Sequence, residues 1–135
     1  MEMVEQMDMS YSYKPVLLKA VLQYADKQGR VKIEDIVAYF KAYYEDRRAK
    51  GRIVEKQNSI FAKGVYTDKE AERNILSNPF KRFEDMNMMR HTKTLGVVEV
   101  DPSIWKRLSE GEKKYILSVC DKKLEEYYKR IEKSI

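Results

Sequence analysis

Two short strand-like runs lie close together in a chain whose other periodic segments are helical. The runs are Met88–His91 and Val97–Val100, and Thr92–Gly96 separates them. Two strands joined by so short a connection predict an antiparallel β-hairpin. The expected fold is therefore mainly α with a small β-hairpin.

A helix, a very short strand and a second helix are predicted before the hairpin. Ser12 can cap a first helix that ends at Gly29, because apolar side chains recur between them at the spacing of one helical face. Arg30–Ile33 alternates polar and apolar residues like a strand. Glu34 and Asp35 then begin the second helix with acidic groups suited to its positive end.

Two more helices are predicted between that pair and the hairpin. The periodicity disappears over Gly51–Tyr66, which predicts a long loop, and a capping box at Thr67 then starts the third helix. Asn78–Pro79 opens a short fourth helix, predicted over Pro79–Met86, and Asn87 can close it in the left-handed conformation. Its apolar side chains are expected to face the core: Phe80, Phe83 and Met86.

The residues after the hairpin predict a helical turn and a long C-terminal helix. Asp101–Pro102 caps the turn, and a second capping box, Ser109–Glu112, opens the last helix. The inner face of that helix is expected to carry Ile116, Cys120, Leu124, Tyr127 and Ile131. The single cysteine is therefore predicted to be a buried thiol.

Length and composition favour one folded domain. The chain has 135 residues, of which 43% are hydrophobic and 36% are charged, as expected for a folded chain with a highly charged surface. Residues 1–10 are expected to form a flexible leader and residues 11–135 a single domain. A signal peptide needs an apolar core near the N-terminus, where this chain has Glu2, Glu5 and Asp8. No uncharged apolar run approaches the length of a membrane span. The expected location is cytoplasmic, with no membrane partner.

The order of helix, strand, helix, helix and hairpin resembles the winged helix-turn-helix superfamily over about Tyr13–Val100, with an additional C-terminal helix. Asn78–His91 is similar to the recognition helix and first wing strand of that superfamily. In such folds the recognition helix enters the major groove and cations of the wing contact phosphates. The resemblance implies seven DNA contacts, on the helix and then on the wing: Asn78, Lys81, Arg82, Arg90, His91, Lys93 and Thr94.

Two stretches also resemble a class of larger nucleic-acid enzymes. Asn58–Phe61 and Ser77–Glu84 look like parts of the accessory C-terminal domains of prokaryotic superfamily 2 helicases and restriction-type helicase–nucleases. The sequence has no G-x-x-x-x-G-K-[ST] phosphate loop. The resemblance therefore implies an adaptor or DNA guide whose ATP chemistry resides elsewhere.

A second basic feature begins at Arg47. Arg47–Lys63 holds six cations and one anion, Glu55, so its local charge is 6 − 1 = +5. Its first four cations are candidate phosphate contacts: Arg47, Arg48, Lys50 and Arg52. The alternative is a solvated helix end, where Lys and Arg oppose the helix dipole. The sequence leaves both interpretations open.

The catalytic motifs in the chain are incomplete. His91-Thr92-Lys93 resembles the opening of the H-x-K-x-x-x-x-D signature of phospholipase D-like nucleases, but Val98 occupies the position of the aspartate. One histidine and one cysteine are too few for a structural zinc site. We therefore expect no enzymatic activity, no cofactor and no metal site.

Two classes of function remain. A net charge of +5 favours a polyanionic partner, so the first is a non-catalytic module that binds nucleic acid, with duplex DNA favoured. The second is a protein-interaction or dimerisation adaptor, in which the C-terminal helix pairs with a partner or with a second copy of the chain. Exposed side chains of Met88, Met89, Leu117 or Tyr128 would favour the adaptor, because a large apolar patch usually marks an interface.

Overall fold

Helices and one small sheet make up the computed structural model, which describes residues 2–134. The helices are α1 (Glu2–Glu5), α2 (Tyr13–Tyr24), α3 (Ile33–Ala49), α4 (Ile60–Lys63), α5 (Asp68–Ser77), α6 (Pro79–Asp85), α7 (Pro102–Arg107) and α8 (Glu110–Lys133). The strands are β1 (Arg30–Lys32), β2 (Met89–Thr92) and β3 (Val97–Val100). The fold is therefore mainly α with a small sheet and an additional C-terminal helix, which confirms the predicted fold class.

The predicted hairpin is the centre of a three-stranded antiparallel sheet with the strand order β1-β3-β2. Met89 of β2 is paired with Val100 of β3, and a 3₁₀ turn, Lys93–Leu95, joins the two strands. β1 adds to the other edge of β3. Ile33, predicted as the last strand residue, instead begins α3, while its amide donates to the Gly96 carbonyl.

The core lies between α2 and the elements packed around it, which include α3, α6 and α8. Phe83 is fully buried, as predicted, and so is Cys120, whose pKa burial raises to about 12. Met86 was predicted to face the core, and this was wrong, because its side chain is 49% exposed. α6 ends at Asp85, so Met86 already belongs to the turn that Asn87 closes with a φ of 57°.

Local capping signals define most helix ends. Both predicted capping boxes are present, at the starts of α5 and α8, and Asp101 caps α7 through the Ile104 amide. The predicted Ser12 cap is wrong, because its side chain makes no capping hydrogen bond to α2. Asn78 also makes no side-chain cap, so α6 begins through Pro79 in its first turn alone.

The N-terminal segment packs against the rest of the chain. We expected residues 1–10 to form a flexible leader, of which Met1 lies outside the described residues. Instead, α1 contacts α8, and Val4, Met7 and Met9 are buried. Lys14 Nζ donates to the Asp8 carbonyl over 2.9 Å. The segment packs instead of remaining flexible because its methionine-rich composition supplies apolar side chains that are buried in the core.

Candidate nucleic-acid interface

Helix α6 presents two cations on the side opposite its buried aromatic rings. Phe80 and Phe83 are buried, whereas Lys81 and Arg82 are exposed. Lys81 Nζ lies 2.8 Å from an Asp85 carboxylate oxygen, and this hydrogen bond raises the pKa of Lys81. Within residues 2–134, Arg82 forms no ion pair. Arg82 is therefore the cation of α6 that is available to a phosphate.

A third cation, which the sequence analysis did not single out, lies close to Arg82. Burial lowers the pKa of Lys14, and the nearby guanidinium of Arg82 acts in the same direction, whereas Asp8 opposes it. Lys14, in the first turn of α2, therefore lies near both Arg82 and Asp8, and the Asp8 carboxylate offsets part of its charge. No local pattern could reveal this neighbour, because Lys14 and Arg82 belong to helices far apart in sequence.

The hairpin adds an exposed cation at its turn. Lys93 and Thr94 lie in the 3₁₀ turn and are both exposed, and Lys93 makes no ion pair with any described residue. His91 is half-buried instead, with its ring centroid 6.1 Å from that of Phe80. Arg90 is exposed but lines a cleft together with acidic side chains: Glu84, Glu99 and Asp101. Lys93 is thus the better-placed cation of the hairpin.

Packing brings α6 and the hairpin together, because α6 contacts β2, the first strand of the hairpin. Arg82 and Lys93 therefore stand on neighbouring elements. We call these two residues, with Asn78, Lys81 and Lys14, the α6–hairpin surface. Asn78 is exposed where α6 begins. The arrangement offers positive charge to a polyanion and contains no buried reactive group.

The basic segment at the end of α3 and just after it has mainly structural roles. The Arg47 guanidinium lies 3.4 Å from the centre of the Tyr128 ring, and its Nε donates to the Ile53 carbonyl over 2.6 Å. Arg48 donates to the Phe61 carbonyl over 2.6 Å. Lys50 is paired with Asp46 at 3.0 Å, and Arg52 is exposed. Arg47 and Arg48 therefore stabilise the segment that follows α3 by hydrogen bonds to its carbonyl groups. This favours a structural role over phosphate binding for these two residues.

A buried polar cluster that sequence reasoning missed joins this loop to α2, α3 and α8. The Glu55 carboxylate is 5% exposed and accepts hydrogen bonds from the hydroxyls of Ser12 and Tyr127. The Ser12 amide donates to the same carboxylate over 2.8 Å, and the Ser12 and Tyr44 hydroxyls are 2.6 Å apart. Ser12 therefore binds Glu55 instead of capping α2. We call these four residues the Glu55 cluster.

Alkaline pH is expected to unfold the protein because several buried tyrosines must stay neutral. Burial raises the pKa of Tyr13 to about 12 and moves those of Tyr44, Tyr127 and Tyr128 in the same direction. The unfolded chain ionises its tyrosines near pH 10, so stability is full below that pH and is lost between about pH 10 and 12. Phenolate absorbance and near-ultraviolet circular dichroism should change together in this window. Titration of every tyrosine near pH 10 with unchanged dichroism would contradict the prediction.

Among residues 2–134, no group of three or more His, Cys, Asp or Glu side chains is placed to hold a metal ion. The helices described in the structure include none that is both long and apolar enough to cross a membrane.

No family model matches the chain, and no curated protein or solved structure matches it significantly.

Proposed function

We propose that this chain is a non-catalytic module that binds nucleic acid, with duplex DNA as the favoured ligand, through the α6–hairpin surface. One observation carries the proposal: α6 packs beside β2, and β2 leads directly into the turn that carries Lys93. Arg82 and Lys93, which form no ion pair among residues 2–134, therefore belong to α6 and to the hairpin beside it. The order of α2, β1, α3, α6 and the β2–β3 hairpin, with α4 and α5 inserted between α3 and α6, is compatible with a winged helix-turn-helix arrangement.

The candidate contacts are of two kinds: cations that would bind phosphates, and one amide side chain that would reach a base edge. Arg82 and Lys93 form no ion pair among the described residues, and Lys14 lies near Arg82 but also near the Asp8 carboxylate. Lys81 has to exchange its Asp85 partner for a phosphate, so its net contribution is smaller. Asn78, at the start of α6, is a candidate for a base-edge contact. As an accessory module, the chain would guide DNA for a helicase or restriction-type motor that lies elsewhere.

Salt-dependent binding tests the proposal. Fluorescence anisotropy of a labelled random-sequence duplex should show binding at 50 mM salt, with log K falling against log salt at a slope of about −3 for roughly three phosphate contacts. Single-stranded DNA and RNA measured alongside should bind more weakly. Absence of salt-dependent duplex binding near 50 mM salt would contradict the proposal.

The adaptor alternative has less structural support. Met89 and Tyr128 are buried, and Met88 and Leu117 are half-buried, so these four side chains form no exposed apolar patch. Among the described residues, the most exposed large apolar side chains are those of Val65 and Leu95, which lie in different loops. An interface with a partner protein or a second copy would become the better proposal only if duplex binding is absent.

A further inference from the structure

The methionines of this chain are clustered in sequence and then again in space. All seven stand in two short stretches, Met1–Met9 and Met86–Met89. The fold brings the two stretches together, because Met3 of α1 lines the same cavity as Met88 and Met89, where β2 begins. We call Met3, Met88 and Met89 the cavity methionines. Three thioethers from distant parts of the sequence therefore converge on one space.

The cavity that these residues line has a volume of about 40 Å³ and lies between α1, α2, the hairpin, α7 and α8. The described residues that line it are all apolar, and Trp105 is one of them. The Trp105 indole nitrogen donates to the Lys27 carbonyl over 3.0 Å, so this donor is already used. The volume is sufficient for a water molecule, but an apolar lining gives water no hydrogen-bond partners. The cavity is therefore suited to a small ligand that needs none.

The side chains around the cavity select one class of metal ion. Thioether sulfur is a soft ligand, and among metal ions in proteins it favours Cu(I). The described residues that line the cavity include no carboxylate, imidazole or thiol. Because burial of an uncompensated charge is costly, nothing here offsets the second charge of a divalent ion. A soft monovalent ion therefore suits this lining better than zinc or magnesium does.

Helix α1 offers the ion a path into the cavity. Met3 belongs to this helix of four residues, which the Tyr115 hydroxyl holds through a hydrogen bond of 2.6 Å to Glu5. So short a helix depends on its side-chain contacts for stability, and terminal segments of this kind open locally at low free-energy cost. Met3 and Met88 are also only half-buried. Local opening of α1 therefore exposes the sulfur atoms without unfolding the domain.

We infer that the cavity methionines form a binding site for Cu(I). The inference does not depend on the proposed function. The sequence analysis led us to expect no metal site because it considered histidine and cysteine, and the group of His, Cys, Asp and Glu ligands that is absent from residues 2–134 would not include thioethers. Methionine has three rotatable side-chain bonds, so the sulfur atoms can turn towards a bound ion. Methionine also fills gaps in cores, and leucine substitution separates the two roles because leucine fills space without a ligating atom.

Titration of the full chain with Ag(I), a redox-stable substitute for Cu(I), tests the inference when the methionine methyl groups are labelled with ¹³C. Cys120→Ala is the background throughout, because the buried thiol is itself a soft ligand. The methyl signals of the cavity methionines should shift together and saturate at one equivalent. Trp105 fluorescence should change over the same range, whereas the signals of Met7, Met9 and Met86 should stay in place. Cu(I) kept reduced with ascorbate should shift the same three signals.

Leucine variants locate the bound ion. Met88→Leu with Met89→Leu should weaken Ag(I) binding at least about tenfold, because even the outer-shell partners of metal ligands change affinity by that factor. Its unfolding midpoint should stay near that of the background protein, because a Met-to-Leu exchange conserves volume. Met88→Leu alone changes only a half-buried side chain and should also weaken binding, so the test stands if the double variant does not fold. The matched control, Met7→Leu with Met9→Leu, replaces two buried methionines outside the cavity lining and should keep the affinity.

Three results would overturn the inference. The first is the absence of a saturable shift at the cavity methionines, and the second is an equal loss of affinity in the Met7 and Met9 control. The third is an equal response of the same signals to Zn(II), which would contradict a soft monovalent ion. None of these measurements contains DNA, so failure here leaves the proposed function intact, and absence of duplex binding leaves the metal site intact.

Discussion

Reversing Arg82 and Lys93 together, as Arg82→Glu with Lys93→Glu, is expected to weaken duplex DNA binding on the order of 10- to 100-fold at 0.1 M salt. Both side chains are exposed and form no ion pair among the described residues, so the loss comes from phosphate contacts replaced by repulsion. The free energy of unfolding should stay within about 0.5 kcal/mol of the parent value. Anisotropy titrations and urea denaturation measure the two quantities.

Two further variants test whether the loss of binding is specific to the α6–hairpin surface. Lys114→Glu with Lys122→Glu changes the net charge by the same amount on α8 and should bind nearly as well as the parent. Lys81→Glu should weaken binding less than Arg82→Glu, because Lys81 is already paired with Asp85. Equal losses in the α8 control would show that binding follows net charge alone and contradict a defined surface.

Replacing Glu55 with alanine is expected to lower the free energy of unfolding by about 3–5 kcal/mol. The carboxylate is the shared acceptor for the Ser12 amide and for the Ser12 and Tyr127 hydroxyls. Without it, these buried donors lose their partner, and a cavity opens where the loop meets α2 and α8. Urea denaturation followed by circular dichroism measures the change.

Glu126→Ala removes an exposed carboxylate of α8 and should change the free energy of unfolding by no more than about 0.5 kcal/mol. Glu55→Gln keeps the side-chain shape and one acceptor oxygen, so it should destabilise the protein less than Glu55→Ala does. An effect of Glu55→Ala as small as that of Glu126→Ala would show that the Glu55 cluster does not hold the loop.

Local signals in the sequence predicted most of the elements. Each capping box, at Thr67 and at Ser109, is formed by hydrogen bonds between residues at most three positions apart. The left-handed conformation of Asn87 likewise closes a turn made by neighbouring residues. None of these features depends on tertiary structure. The hairpin followed from the short connection between two strand-like runs. Alternation at Arg30–Ile33 predicted β1, but its pairing with β3 is a long-range contact that appeared only in the fold.

Side-chain partners far apart in sequence could not be predicted. Ser12 is a good helix cap by type, yet its hydroxyl binds Glu55, which lies 43 positions away. Glu55 itself stands among cations in sequence and is buried among hydroxyls in the structure. Arg47 and Arg48 belong to a basic run, and only the folded loop reveals the carbonyls that they bind.

Chemical-shift mapping of the ¹⁵N-labelled protein with unlabelled duplex DNA tests the central claim most directly. At low salt, the largest amide shifts should fall in Asn78 and α6, residues 78–85, and in the hairpin turn, residues 93–96, with further shifts around Lys14. These shifts should disappear as salt is raised. Shifts confined to α8, or no shifts at 50 mM salt, would contradict the claim that the α6–hairpin surface binds DNA.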